Sequence, residues 1–308
     1  MIIQSITVTL LAPMEDHAAN RGEKLLGNAS SIKRRPDGRV YVSGQMQRHA
    51  LFSAMARIND ADEQRGQTFV ANGDAPTTDI ATDLRSDLGG FLDTNKGDYS
   101  GRRTAPLSAT PAVAQDESAI GRDLLIRIKQ DEGGESDKKQ ALATNEFSQR
   151  DVMRMSFHLD VPAIGTTTRF RYDNKMHVRT EHEHHIDDAE HRRRVVLALE
   201  ATRSLTDYAN QARNATSGEP EQVLIVLDTK MSRKAARFFA PETTDATRKN
   251  LLNELDARGA VYFLGDDTTL EGDSVEEAYD KALAALQSAT LYRPAHTYTP
   301  PKKDGTAG

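Results

Sequence analysis

The run MRMSFHLDV at residues 153–161 alternates Met153, Met155, Phe157, Leu159 and Val161 with Arg154, Ser156, His158 and Asp160. Strict period-two alternation predicts a β-strand with one face on a core. Working outward, Ile6, Val8 and Leu10 alternate with Thr7 and Thr9, and Leu124, Ile126 and Ile128 oppose Arg127 and Lys129. QVLIVLD at 222–228 is a short continuous apolar run, as a central strand has. Helical spacing fills the gaps. Leu51, Ala54, Met55 and Ile58 follow Ser43, a candidate N-cap, and Val195, Ala198, Ala201, Leu205 and Tyr208 mark a helix from about 187 to 210. The order strand–helix–strand–strand–helix–strand predicts an α+β fold of ferredoxin-like, RNA-recognition-motif topology.

Residues 60–122 lose periodicity and are rich in Asp, Thr, Gly and Ala, so they are expected to form an insertion outside the sheet core. Residues 131–150 read as a polar connection. A C-terminal extension is expected as helix, strand and helix near 244–258, 261–265 and 274–290, with Ser274 and Glu277 spaced as a capping box. The expected division is 1–59, the inserted lobe 60–122, then 123–292 with a hairpin at about 163–186, and a disordered tail at 293–308.

The 308 residues suit one large domain or two modest ones, and 28% of them are charged against 37% hydrophobic. The absence of cysteine excludes disulfides, cysteine zinc sites and thiol catalysis. The opening MIIQSITVTLLAP lacks a basic n-region, and no apolar run approaches the roughly 20 residues that span a bilayer. The expectation is a soluble cytoplasmic protein without a membrane partner.

The net charge of −6 conceals polarity. In SSIKRRPDGRVYVSGQMQRHAL, residues 30–51, Lys33, Arg34, Arg35, Arg39 and Arg48 meet one acid, Asp37, whereas acids outnumber bases across 60–98. Ser43-Gly44-Gln45 opens a helix whose free N–H groups and dipole favour an anion, phosphate above all. Neither G-x-x-x-x-G-K-[ST] nor G-x-G-x-x-G occurs, which disfavours a nucleotide loop. A solvated charged loop stays open as the alternative.

SSIKRR followed by YVSGQMQRHAL resembles the signature of the CRISPR-associated DevR-type autoregulators, the Cas-seven backbone subunits of type I Cascade. The likeness continues through NEFSQRDVMRMSFHLDVPAIG at 145–165, RRRVVLALEATRSL and SRKAARFFAP at 232–241. The resemblance implies a palm of the recognition-motif fold, an inserted finger lobe and a protruding thumb. It implies a non-catalytic, cofactor-free subunit that lines up head to tail along a CRISPR guide RNA, beside other Cascade subunits, and presents the guide to target DNA. It further implies phosphate binding by Lys33, Arg34, Arg35, Ser43, Gln45, Arg48 and His49. The aromatic pair of an ordinary recognition motif is missing, so the guide is not expected to stack on the sheet face.

In TRFRYDNKMHVRT, residues 168–180, Asp173-Asn174 reads as a two-residue turn. The expected hairpin sets Phe170, Tyr172, Met176 and Val178 on one face and Arg169, Arg171, His177 and Arg179 on the other, with Lys175 beside the turn. Aromatics there would stack on a displaced nucleotide; a hairpin packed on its own protein is the alternative.

His177, His182, His184, His185 and His191 stand close together, but H-E-x-x-H fails at Ile186, so no metal site is expected. Asp37 occupies the region where type III relatives carry a catalytic aspartate, although PDG is also a natural turn. A standalone RNA- or DNA-binding regulator and an Asp37-dependent RNA endonuclease are the alternative functions.

Overall fold

In the computed structural model, which describes residues 1–20, 22, 24–25, 29–73, 77–92, 102–128 and 140–299, Ser5–His17 forms the central strand (β1). The chain continues through helix Gly44–Ala61 (α1), short helix Leu84–Gly89 (α2) and short strands Leu107–Ala109 (β2) and Ala112–Ala114 (β3), the latter also paired with Tyr41–Val42. Strand Ile120–Ile128 (β4) and the 21-residue strand Gln140–Asp160 (β5) lead to a hairpin, Thr166–Asp173 (β6) and Met176–His184 (β7). Helix Asp188–Ala201 (α3), strand Gln222–Asp228 (β8), helix Asp245–Ala257 (α4), strand Val261–Asp266 (β9) and helix Val275–Ser288 (α5) complete the order.

β1 lies between β5 and β8 and is antiparallel to both; β9 flanks β8, and β2 and β3 flank β5. The architecture is mixed α/β around a mainly antiparallel sheet. Register puts Leu10 opposite Met155 and Val223, and Val8 opposite Phe157 and Ile225, so their apolar side chains share one face. That face is buried under α1, α3 and α5 through Leu51, Met55, Val195, Ala198, Tyr279 and Leu286. The other face carries Thr7, Thr9, Ser156 and His158, with Leu224 and Val226 beside them. It is covered by residues 231–260, which seat Ala235, Phe238, Phe239 and Leu255 on Leu224 and Val226. Polar residues survive there because they pair: Ser156 Oγ donates to Thr9 Oγ1 at 2.9 Å, and Thr7 Oγ1 lies 2.9 Å from His158 Nδ1.

The hairpin is fixed at its root by buried charge. Asp87 on α2, fully buried, accepts from Arg194 at 2.6 Å, from Arg103, and from the Gly165 N–H at 2.9 Å. Arg103 also donates to the carbonyls of Ala163 (2.7 Å) and Thr166 (2.8 Å), and Arg194 to those of Ile80 (2.8 Å) and Ala81 (2.5 Å). Gly165 has φ +58°, and a Cβ there would collide with Ile186, so glycine is required.

Several expectations change. Residues 107–114 are sheet rather than inserted lobe, pairing with Met153–Leu159 of β5. Short, weakly apolar strands leave no period to read. Leu124–Ile128 belongs to a ribbon with the first half of β5, so 140–150 is strand instead of connection; residues 131–139 lie outside the described ones. The helix predicted to 210 stops at Ala201, and Leu205 and Tyr208 reach the core from the following loop. The expected disorder at 293–308 fails for its described part. Arg293 donates to Asp188 (2.9 Å) and to the Ile186 carbonyl (2.8 Å), while residues 300–308 lie outside the described ones.

Asp87→Asn should cost about 3–5 kcal/mol in urea unfolding, because it leaves buried Arg103 with no carboxylate partner among the described residues and Arg194 with Glu190 alone. A loss below about 1 kcal/mol would refute that role. Burial, aided by Arg233, depresses His158 from its ordinary 6.5 to about 4. Between those values the unfolded chain takes a proton that the fold refuses, so stability falls as pH drops from about 6.5 to 4 and is unaffected above. His158→Gln should flatten part of that dependence in unfolding titrations at successive pH.

Candidate nucleic-acid interface

The basic stretch folds as a small hairpin. Arg34 bridges Val40, the Arg35 N–H donates to Arg39 O at 2.9 Å, and Gly38 N–H returns to Arg35 O at 3.0 Å. Gly38 has φ +82°, so the PDG tip is a tight turn. Asp37 accepts from Arg39 Nε at 2.8 Å and Arg39 N at 3.2 Å, and these bonds hold its carboxyl below the usual range. It closes the turn.

Buried polar groups hold the loop's root. Asn20 accepts from the Lys33 N–H at 2.8 Å and donates to the carbonyls of Lys33 and Tyr41. Ile32 N–H donates to Glu146 at 3.2 Å, and Val40 N–H to Ser118 Oγ at 3.0 Å. Ser118 in turn donates to Asp151 at 2.5 Å, whose second oxygen lies 2.7 Å from His17 Nε2. Burial pushes Asp151 up, but hydrogen bonds from His17 and Ser118 outweigh it and leave the carboxyl below its ordinary value. On this fixed backbone Lys33 and Arg34 are exposed and Arg35 is half-buried. Among the described residues none of the three makes an ion pair.

At the start of α1, Ser43 Oγ accepts from Met46 N–H at 3.2 Å, so it serves as the cap. Gln45 and His49, one turn apart, are exposed beside the loop. Arg48 departs from the expectation, and Gly44 beside it serves packing. A Cβ on Gly44 would stand 3.1 Å from Ala109 O, so the glycine admits the protein's own edge strand rather than a ligand. Arg48, one turn before Phe52, turns toward α2. It donates to Gly89 O at 2.5 Å with its guanidinium 5.8 Å from the Phe52 ring centre, and burial lowers its pKa. It joins two helices and does not stand beside Lys33 as a free cation.

The β6–β7 hairpin turns at Asn174-Lys175, with φ of 46° and 66°, one residue later than predicted. With an irregularity between Arg171 and Tyr172, the shift sets His177 opposite Tyr172, its ring 5.9 Å from those of both Phe170 and Tyr172. His177 therefore joins the aromatic face instead of the cationic one. Phe170, Tyr172, Met176 and Val178 are 57–70% exposed, far beyond what a self-packed hairpin shows. Arg169 and Arg171 are satisfied internally: they donate to Glu183 and Glu181, each at 2.7 Å, and lie over the Tyr298 ring at 4.6 and 5.6 Å. Tyr298 arrives on a segment laced along β7, where the Thr297 and Tyr298 N–H groups both donate to His182 O. Lys175 stands exposed at the tip. Among the described residues no His, Asp and Glu side chains group as a metal site, and no helix is long and apolar enough to cross a membrane.

The sequence reading missed Asn20, Ser118, Glu146 and Asp151, which position the loop. Asp151 and Glu146 were visible only as polar members of β5, with nothing local to reveal the partner.

A family described as the CRISPR-associated negative auto-regulator DevR/Csa2 matches residues 8–235. Among solved structures, a chain of a CRISPR RNA-guided surveillance complex is 15% identical with a TM-score of 0.55, covering 91% of this chain and 99% of that one. A chain of such a complex in a pre-nicking state is 10% identical with a TM-score of 0.53, covering 92% of this chain and 100% of its own. At these identities the likeness is one of fold. No curated protein sequence matches this chain.

Asn20→Ala would strip partners from the Lys33 N–H and two carbonyls, at about 1–3 kcal/mol for a buried group left unsatisfied. Limited trypsin digestion should then cut faster after Lys33, Arg34 and Arg35 than in the parent protein; an unchanged rate refutes the tether.

Proposed function

This chain belongs to the CRISPR-associated DevR/Csa2 family, and from that premise we propose that it is a non-catalytic, guide-RNA-binding backbone subunit of a type I CRISPR interference complex. The observation that carries this reading is the loop at 33–41, where Lys33, Arg34 and Arg35, without carboxylate partners among the described residues, stand on a backbone held by buried polar groups. Such a loop has already met the entropic cost of ordering, and its charge is left for an external polyanion. Gln45 and His49 extend the same surface.

The sheet supports a recognition-motif palm. Its central strands run β8–β1–β5 with β2 and β3 beyond, and α1 and α3 pack on one face. The face on which such motifs stack bases is covered by residues 231–260, so the guide runs along the loop side and not across bare sheet. The exposed tip of the β6–β7 hairpin acts as a thumb. Phe170, Tyr172 and Met176 meet a neighbouring copy or a displaced nucleotide, and head-to-tail contacts of this open kind propagate along the RNA. Other Cascade subunits close the ends, and target DNA pairs with the presented guide. The chains to which the fold is similar come from CRISPR RNA-guided surveillance complexes. Asp37, tied to Arg39 in its turn, is assigned no catalytic role.

Lys33→Glu with Arg34→Glu should reduce retention of guide-length RNA and lower the slope of log K against log salt by about 0.7 for each phosphate contact removed. An unchanged slope would overturn the loop's role. Phe170→Ala with Tyr172→Ala should leave thermal stability within about 0.5 kcal/mol, because both rings are exposed. The same variant should shift RNA-bound particles toward smaller species in analytical ultracentrifugation, and an unaltered size distribution would remove the thumb from assembly.

A further inference from the structure

The segment after β8, Lys230–Arg237, crosses the polar face of the sheet. Its Met231 Sδ lies 3.4 Å from His158 Nε2, and Ala236 O accepts from Ser156 Oγ and from an Arg154 Nη, both at 3.5 Å. Its far end is anchored by Phe238 and Phe239, mostly buried and packed edge to face at 5.0 Å. Lys230, Arg233 and Arg237 are exposed and form no ion pair among the described residues, whereas Lys234, in the same short turn of helix, is held by Glu254 at 2.8 Å.

Arg154 links this segment to the loop. It is half-buried on β5, opposite Val113, which is itself paired with Tyr41 at the end of the loop, and it feels the positive fields of Arg35 and Arg39. Arg39 has Asp37 as partner, and Glu242 is the acid acting on both Arg39 and Arg154, with Asp116 near Arg39. Neither Arg35 nor Arg154 has a carboxylate within ion-pair distance among the described residues. Like charges gathered beside a partly dry surface repel, and the cluster gains stability when an anion joins it. The segment sits on one side of the short strands β2 and β3, and the start of α1 sits on the other through Gly44 against Ala109.

We propose that Lys230, Arg233 and Arg237 form a second phosphate-binding element, continuous through Arg154 with Arg35 and Arg39, which carries consecutive phosphodiesters of one RNA strand across the covered face of the sheet. This inference rests on the RNA-binding reading of the loop and extends its site to the far side of β5. The covering of the sheet thereby becomes part of the site: the 231–237 segment replaces base stacking with a cationic rail.

The test uses the full-length chain and fluorescein-labelled oligouridine, with binding followed by anisotropy over a salt series. Four proteins are compared: the parent, Lys33→Glu/Arg34→Glu, Arg233→Glu/Arg237→Glu, and Lys234→Glu, a single reversal whose loss is compared per reversed charge. The Arg233/Arg237 variant should lose about tenfold or more in affinity and about 1.4 in salt slope, while Lys234→Glu stays near the parent. Arg233→Gln/Arg237→Gln should show a smaller loss in the same direction, which guards against a folding defect from charge reversal. Equal losses per reversed charge in the Arg233/Arg237 and Lys234 variants would reduce the effect to net charge and overturn the inference. Parent-like binding by the Arg233/Arg237 variant beside a weakened loop variant would overturn it too, while leaving the loop reading intact. If the loop variant also binds like the parent, the RNA-binding reading falls and this inference with it.

Discussion

Asp87 joins three parts of the chain that are far apart in sequence. Its carboxylate accepts hydrogen bonds from Arg103 near the edge strand, from Arg194 on α3, and from the backbone N–H of Gly165 at the hairpin root. None of these groups is stable alone in a dry interior. The arginines also donate to carbonyls of residues 80–81, 163 and 166, where the chain changes direction, and Arg194 pairs in addition with Glu190. The direction in which the hairpin leaves the body is therefore set by electrostatics at its base, and its tip needs no packing of its own. That arrangement leaves aromatic side chains exposed on a stem that does not wander.

The basic loop follows the same logic at smaller scale. Carbonyls and N–H groups at its root are matched to Asn20, Glu146 and the Ser118–Asp151–His17 chain, so the backbone is determined before any ligand arrives. Side chains on such a backbone lose less freedom on binding than those of a mobile loop. Two residues whose type and position fit this surface are used elsewhere. Arg48 caps α2, and Gly44 clears space for Ala109. Residue type and proximity in sequence do not decide whether a guanidinium faces water; the helical phase relative to Phe52 does.

Strong periodicity made β1, the second half of β5 and β8 readable in the sequence, because each places one apolar face, or two, on a large core. Ser43 and Ser274 were readable as caps because capping is local chemistry. What escaped was decided by distant partners. The strands at 107–114 carry too few apolar residues to show a period and are strands only because β5 offers an edge. The turn of the hairpin slipped one residue because Asn174-Lys175 accepts left-handed φ at both positions, a preference that Asp173-Asn174 expresses almost as well. Of the candidate site, the exposed cations Lys33 and Arg34 and the aromatic tip were legible, since side-chain chemistry is printed in the sequence. The polar groups that hold them still were not, since Asn20 and Asp151 look like any other surface residue until their partners are known.

The position of β1 at the centre of the sheet carries a consequence for how the chain is made. This strand leaves the ribosome early, yet its neighbours are residues 148–160 on one side and 222–228 on the other. At ordinary elongation rates its two edges stay unpaired for on the order of ten seconds. During that interval Ile6, Val8, Leu10, Ala12 and Met14 offer an apolar ribbon to any other nascent strand. The acid-rich stretch at 60–98 is synthesised in this window, and its charge repels sister chains emerging from the same polysome. A topology built for a finished surface thus makes co-translational folding slow and dependent on solubility supplied from elsewhere in the chain.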